Sequence, residues 1–498
     1  MLKKLFSSSL FRFLENIITV AISLLLTPFL ITTLGNESYG LWLLILSMLG
    51  WFNIINLGFP AAVQRHITWA LESKVDDNIN RIFSTSIILF STLGGVAIVG
   101  LFSLAANPLI FGMSDANAEV FTLSLSLLCI KVLWDFVMCS FNGFFSCLLR
   151  YDIDANISSL NAIVKAILVY FLLLDLNIYG AVIATLVADL LSNILKIIFV
   201  KRLVPSLSFS IKNASLKEFK DLFHFSKHVI ATGVAKTINN RVDPILVTKL
   251  FELSLVPIFG IANRLAGLVE GFTMSVSGVF LPMFNKMAAN NQNMERTFLK
   301  VTTINIMVYS TFYSILFAFS EAFVQLWVGK EFLQSIPILN VLIFSCLCRA
   351  VFQSIRDLLF AQANHKYLSF VSMFGAIFNV VLSIILAKQF GLIGIAISTS
   401  ISFLLSDVLL SLLVVKKYND FNIKPIIQQF MMALIITYSI GLFGQYIIQK
   451  YVAITWSNLV ILGVVFTPLI IAFNIFIFVD KGDISQMYGK LKQRLIKQ

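Results

Sequence analysis

The sequence predicts an all-α integral membrane protein of about fourteen transmembrane helices, and three observations predict it. Of 498 residues, 58% are hydrophobic and only 12% charged, against about 45–50% and roughly 25% in soluble domains, so no polar surface could close over the apolar core. Apolar stretches of about 20 residues, the length needed to cross roughly 30 Å of hydrocarbon as helix, recur along the whole chain. Basic residues collect in every second interval between those stretches.

The spans fall near 13–34, 39–60, 83–106, 119–143, 157–174, 178–200 and 225–248, then near 254–284, 301–324, 335–358, 367–387, 391–415, 426–448 and 458–479. The N-terminus, the loops after even-numbered spans and the C-terminal tail hold 24 of the 37 Lys and Arg, and 9 more lie inside spans. The loops after odd-numbered spans hold only Lys249, Lys330, Lys388 and Lys450. By the positive-inside rule, both termini are cytoplasmic.

The first span follows a short basic segment with Lys3, Lys4 and Arg12 and lacks a small-residue cleavage site, so it is expected to be a retained helix rather than a signal peptide. The longest loop, about 201–224, is cytoplasmic, and its piece Leu216-Lys217-Glu218-Phe219-Lys220 is expected to lie at the interface. No loop is large enough for a catalytic domain.

Several classes are excluded. The formal charge of +12 does not imply a nucleic-acid partner, because the cations sit between apolar spans where they set orientation. Cys129, Cys139, Cys147, Cys346 and Cys348 are odd in number and lie in or beside spans, against disulfides or a metal site. His66, His224, His228 and His365 form no ligand cluster, and no cofactor is expected. A glycan polymerase or glycosyltransferase would need a large outer loop for its chemistry, which the sequence lacks.

The first and seventh spans end alike, Pro28-Phe29-Leu30-Ile31-Thr32-Thr33-Leu34 against Pro244-Ile245-Leu246-Val247-Thr248-Lys249-Leu250. Each leads to an aromatic-glycine pair, Tyr39-Gly40 or Phe259-Gly260, and then to Pro60 or Pro282. A six-span duplication follows, predicting two pseudo-symmetric lobes around a central cavity, with two further helices at the C-terminus. The expected divisions are 1–222, 223–420 and 421–498.

A charge at the bilayer centre costs roughly 2.5–3.5 kcal/mol on insertion scales, so charges inside spans carry the functional information. Lys131 and Asp135 are expected to pair at i, i+4, and Asp189 and Lys196 to pair two turns apart. Lys196, Lys227 and Arg356 lie where they could snorkel. Lys165, Arg264 and Arg349 have no opposite charge at i±3 or i±4, which leaves either an anionic cargo or a carboxylate on another helix to compensate them. Arginine suits phosphate because its planar fork binds oxygens bidentately. Asp243, beside Pro244, could take a proton or sodium, or could bridge to Arg241 or Lys236. The candidate cationic lining is therefore Arg264, Arg349, Lys165, Lys131, Lys236 and Arg241.

The stretch Leu34-Gly35-Asn36-Glu37-Ser38-Tyr39-Gly40-Leu41-Trp42, then Asn56-Leu57-Gly58 and Asn80-Arg81-Ile82-Phe83-Ser84-Thr85, resembles the polysaccharide-transport flippases, the O-antigen (Wzx-type) group of the MOP exporter superfamily, which shares its fold with the MATE transporters. Asn56 stands where that family usually has Asp. A second match runs through Asp243, Ile258-Phe259-Gly260-Ile261-Ala262-Asn263-Arg264-Leu265 and Pro282.

The resemblance implies a monomeric bacterial inner-membrane flippase that turns an undecaprenyl-pyrophosphate-linked glycan from the cytoplasmic to the periplasmic leaflet by alternating access. Polymerase and chain-length proteins of the same pathway are its implied partners. Asp243, Asn379 and Thr399 look like the ion-coupling positions of sodium-coupled relatives, while Ser383 stands where a second carboxylate can occur, which leaves sodium and proton as alternatives. Sugar recognition would fall to groups such as Trp134, Asn142, Asn239 and Asn240. A multidrug antiporter of the same superfamily would prefer an acidic cavity, against Arg264 and Arg349.

Overall fold

In a computed structural model, the described residues are 2–52, 63, 64, 66–68, 76–277, 280–362 and 364–478, some of the helical ones by backbone alone. They are helical with no strand among them. Their contacts divide the chain into two compact units, Met1–Pro257 and Ile258–Gln498. That division falls at 257/258, against 222/223 expected from the duplication.

Unit 1 holds α1 (Leu2–Phe52), α2 (Asp76–Ala105), α3 (Asp115–Cys147), α4 (Tyr151–Leu203), α5 (Leu216–Arg241) and α6 (Asp243–Leu250). α7 (Val256–Ser277) begins at the boundary, and α8 (Phe280–Ala289), α9 (Glu295–Trp327), α10 (Ser335–Ala361), α11 (His365–Phe390) and α12 (Leu392–Phe403) follow in unit 2. A π-helix, Leu404–Leu410, leads to α13 (Ser411–Asn419), α14 (Lys424–Tyr451) and α15 (Trp456–Phe478).

Eleven of the described helices are long and apolar enough to cross a membrane. Two of these are double-length, Phe11–Phe52 and Tyr151–Leu203, and each is interrupted by one residue at positive φ, Gly35 at 73° and Asn177 at 50°. At 1.5 Å per residue, 53 residues of helix would reach about 80 Å, far beyond one bilayer, so each run supplies two crossings. The seventh expected span lies on α5 and α6, too polar to be counted, with the helix interrupted at Val242 just before Asp243-Pro244. Fourteen helical spans are thereby accounted for. Leu25, Val99, Ile130 and Phe476, each more than two-thirds exposed, are the lipid-facing complement that membrane helices require.

The internal duplication is visible in one detail of each unit. Asn177 turns α4 back so tightly that a Cβ on Gly180 would lie 2.2 Å from the carbonyl oxygen of Leu172. Gly391, at φ +66°, turns α11 into α12, and a Cβ on Gly394 would lie 2.2 Å from the carbonyl oxygen of Leu386. Both hairpins then run Gly-x-x-Ile-x-Thr, ending at Thr185 and Thr399. A glycine is demanded three residues after each turn because the returning helix passes against the backbone of the outgoing one.

The Asn80-to-Thr85 motif has a structural role in unit 1. Asn80 donates from Nδ2 to the Ser206 carbonyl at 3.2 Å and accepts the Ser208 N–H on Oδ1 at 2.8 Å. Ser84 Oγ accepts the Ser210 N–H at 3.2 Å, and Thr85 Oγ1 accepts the Ser215 N–H at 3.0 Å. The side chains of α2 thus satisfy the backbone of the loop that separates α4 from α5, which has no regular partner of its own. Asn80→Ala removes two of these bonds at about 1 kcal/mol each, and faster amide hydrogen exchange over 206–215, with the exchange of α3 unchanged, is the expected result.

The two last spans are integral to unit 2. Gly441 and Gly444 bring α14 against α9 so closely that a Cβ on either would lie 2.3 Å from the Phe317 ring or 2.5 Å from the Ala318 Cβ. Ser310 and Thr437 share a hydrogen bond of 2.9 Å across that contact, and Tyr438 Oη donates to the Asn340 carbonyl of α10 at 2.7 Å. Small residues and short polar bridges are what associate helices where lipid offers no hydrophobic drive.

Candidate functional site

A group of charged residues in unit 1 converges where α3 meets the two arms of α4. Lys131 of α3 contacts both Asp135, one turn on, and Asp189 of the second arm, the latter at 2.9 Å. Lys165 of the first arm reaches the other oxygen of Asp189 at 3.0 Å, and Asn161 donates to that same oxygen at 2.9 Å. Lys165 and Asp189 each stand twelve residues from the turn at Asn177. An antiparallel hairpin brings such positions to one depth.

Lys196 does not pair with Asp189 as expected. It binds Asp154 at 2.9 Å and donates to Asn142 Oδ1 at 3.3 Å. Seven residues put two side chains on one helix face but about 10 Å apart, whereas the adjoining segments offer partners at contact distance. The cluster surrounds a cavity of about 290 Å³ lined by Lys131, Asp135, Asn142, Asn161, Asp189 and Lys196, among others. A second cavity of about 250 Å³ shares Lys131, Asp135 and Asp189 with the first and is walled mainly by Ile130, Trp134, Leu186, Val187 and Leu190.

In unit 2, Arg349 of α10 is compensated by a carboxylate on another helix. Its guanidinium bonds Glu270 of α7 and lies 4.7 Å from the centre of the Phe403 ring of α12. The expectation that Lys165 and Arg349 are satisfied either by cargo or by another helix is therefore met, for both, by another helix. Arg356 pairs with its neighbour Asp357 at 3.3 Å. Arg264 is half-buried on α7 and is likewise engaged within the protein. Neither Glu270 nor Asp154 could be paired with its cation from sequence, since the partners lie 79 and 42 residues away.

Asp243 opens α6 ahead of Pro244 and is 3% exposed, with Oδ1 unbonded among the described residues. The carbonyl of Arg241, two residues earlier, accepts from α1, from Ser47 Oγ at 2.5 Å and Trp51 Nε1 at 3.1 Å. The Arg241 side chain is exposed and passes Gly50. The side chains of Lys236 and Asn240 lie outside the described residues, as do Asn56-Leu57-Gly58 and Pro60, while Asn239 is half-buried on α5. In unit 2, Asn379 of α11 accepts on Oδ1 from Ser383, Ser398 and Thr399 at 3.3, 3.2 and 3.4 Å, all four buried. This polar knot between α11 and α12 contains Ser383 and Ser398 as well as the two expected residues.

A helical chain of this length, with ion pairs sunk between apolar helices, is a polytopic membrane protein of transporter architecture. Its backbone matches that of the lipid II flippase MurJ in an inward closed conformation, with a TM-score of 0.76 and 18% identity over 98% of this chain and 99% of that one. The chain belongs to the polysaccharide biosynthesis protein family, whose pattern matches residues 5–288.

Among its relatives is the membrane protein EpsK of Bacillus subtilis, uncharacterised by name, 21% identical over 84% of this chain and 83% of its own. Another is a Shigella flexneri protein named "Putative O-antigen transporter", 21% identical over 77% of this chain and 91% of its own. The resemblance read from Tyr39-Gly40-Leu41-Trp42 and Asn80-to-Thr85 is thus borne out at the level of family and fold.

Proposed function

We propose that the chain is a flippase for an undecaprenyl-pyrophosphate-linked glycan, carrying it from the cytoplasmic to the periplasmic leaflet of a bacterial inner membrane by alternating access. The observation that carries this reading is the charged, hydrogen-bonding cavity of α3 and α4, set within helices that are otherwise apolar. A sugar pyrophosphate cannot enter hydrocarbon unaided, and polar cavities at membrane depth are costly unless they serve such a cargo. Family membership and the names of the relatives point the same way.

Both termini face the cytoplasm in this proposal, in keeping with the distribution of Lys and Arg. Ion coupling belongs to it as well, through the buried carboxylate of Asp243 and through the Asn379-Thr399 cluster, with a proton or sodium as the coupled ion. Of the cationic candidates, Arg264 is assigned the pyrophosphate, and polymerase and chain-length proteins are its partners in the pathway.

The test is deletion of the gene in a strain that makes a surface polysaccharide. Loss of the polysaccharide with accumulation of its lipid-linked repeat unit in the cytoplasmic leaflet is expected, and unchanged export would overturn the reading. Arg264→Ala should fail to complement that strain and Arg264→Lys should complement in part, because the bidentate fork is lost while the charge is kept. Full export by the alanine variant at normal membrane levels would remove Arg264 from the cargo path.

A further inference from the structure

The cavity of α3 and α4 is charged but not cationic, and Glu15 stands beside its Ser158 in addition to the paired charges. Around it stand Lys131, Lys165 and Lys196 against Asp135, Asp154 and Asp189, and each ammonium lies within 3.0 Å of a carboxylate oxygen. A pyrophosphate entering such a network would have to displace a carboxylate or bury uncompensated charge. A sugar hydroxyl makes no such demand. It donates and accepts at once, so it can bridge an ammonium or amide on one side and a carboxylate on the other.

The lining suits such a ligand in three respects. All of its residues but Met138 and Cys139 carry side-chain oxygen or nitrogen. Asn161 donates to Asp189 yet leaves its own buried Oδ1 without a partner among the described residues, an acceptor open to an incoming hydroxyl. A volume of about 290 Å³ is at the small end of ligand pockets, which run from about 300 to 1,000 Å³, and admits a ring rather than an oligosaccharide.

The second repeat shows that the fold does not require this network. The hairpin turns at Asn177 and Gly391 are 214 residues apart, and that offset carries Thr185 to Thr399, Lys165 to Asn379, Asn161 to Gly375 and Asp189 to Phe403. The same offset carries Lys131 to Ser345 and Asp135 to Arg349, which in unit 2 lies against Phe403, the counterpart of Asp189. Where unit 1 places the carboxylates Asp135 and Asp189, unit 2 thus places an arginine and an aromatic ring. Buried ion pairs add little stability over an apolar filling, so a demand other than packing accounts for the carboxylates in unit 1.

Resting on the flippase reading above, we infer that this cavity is the saccharide subsite, holding one sugar of the cargo by its hydroxyls while the pyrophosphate binds elsewhere. The test uses the purified full-length protein and native mass spectrometry with two probes, synthetic undecaprenyl pyrophosphate and the lipid-linked glycan extracted from the host cells. The wild type is expected to bind the glycolipid more tightly than the bare lipid. Ser158→Phe, which fills the cavity, and Asn161→Ala, which removes the open acceptor, should each weaken the glycolipid by about tenfold or more and leave the bare lipid unchanged.

Equal binding of the two lipids by the wild type would overturn the inference, as would equal weakening of both by the variants. Undiminished glycolipid binding by a Ser158→Phe protein that melts like the wild type would overturn it too. Binding of neither lipid by the wild type would instead sink the flippase reading itself.

Discussion

Arg349→Ala is expected to be among the most destabilising single substitutions in the second unit, at about 3–5 kcal/mol, because it strands Glu270 as an uncompensated charge between helices. The side chains of the pair are each only 22% exposed, so water replaces the missing partner only in part. Asp407, buried in the π-helix and bonded by Ser406 Oγ at 2.9 Å, lies within electrostatic range of both. Removal of the arginine therefore takes away the cation that offsets both acidic groups. Glu270→Gln should cost less, since Arg349 then keeps Asp407 and the face of Phe403.

The double variant Arg349→Ala with Glu270→Gln should be more stable than Arg349→Ala alone, as neither member is left charged. Thermal stability by size-exclusion chromatography in detergent measures all three. Equal losses in the two single variants that add in the double would show that the pair is not coupled. Export by the double variant separates the roles of Arg349, because a residue whose sole duty is to satisfy Glu270 becomes dispensable once Glu270 is neutral.

Gly40→Ala is the second large effect expected. A Cβ at this position would lie 2.1 Å from the carbonyl oxygen of Leu253 and 3.0 Å from its carbon, and 3.3 Å from Pro257 Cδ. The obstacle is backbone, so the 253–255 turn or α1 itself must move, and overpacking of this kind costs about 1–3 kcal/mol or more. Gly95→Ala on α2 provides the control, since nothing lies within 4 Å of its Cβ. There the change should be neutral or should stabilise by up to about 1 kcal/mol through helix propensity. Similar melting shifts for the two variants would remove close packing as the reason for the glycine in Tyr39-Gly40.

Gly40 also shows what kind of information a motif holds. Tyr39-Gly40-Leu41-Trp42 and Asn80-to-Thr85 identify the family, yet the structure gives both mechanical duties. Gly40 lets α1 pass against Leu253, and Asn80, Ser84 and Thr85 tie down the loop at 206–215. Nothing in their residue types separates such fastening from cargo contact. The i, i+4 pair of Lys131 and Asp135 was legible because its geometry is set within one helix. The assignment of Asp189 to Lys196 failed because helical spacing reports a shared face and not contact. Lys165 and Asp189 could have been matched by their equal distances from Asn177, had that residue been recognised as the turn.

Hydropathy and the placement of Lys and Arg, read along the chain alone, determine that this is a helical membrane protein of fourteen spans, because a bilayer tests each segment separately for length and apolarity. The sequence also determines which charges are buried at a cost. Which partner meets each charge was decided only in three dimensions, where Glu270 comes to Arg349 across 79 residues and one carboxylate, Asp189, serves two lysines. Such pairings depend on how helices turn and cross, and a charge on a helix carries no mark of the neighbour that will satisfy it.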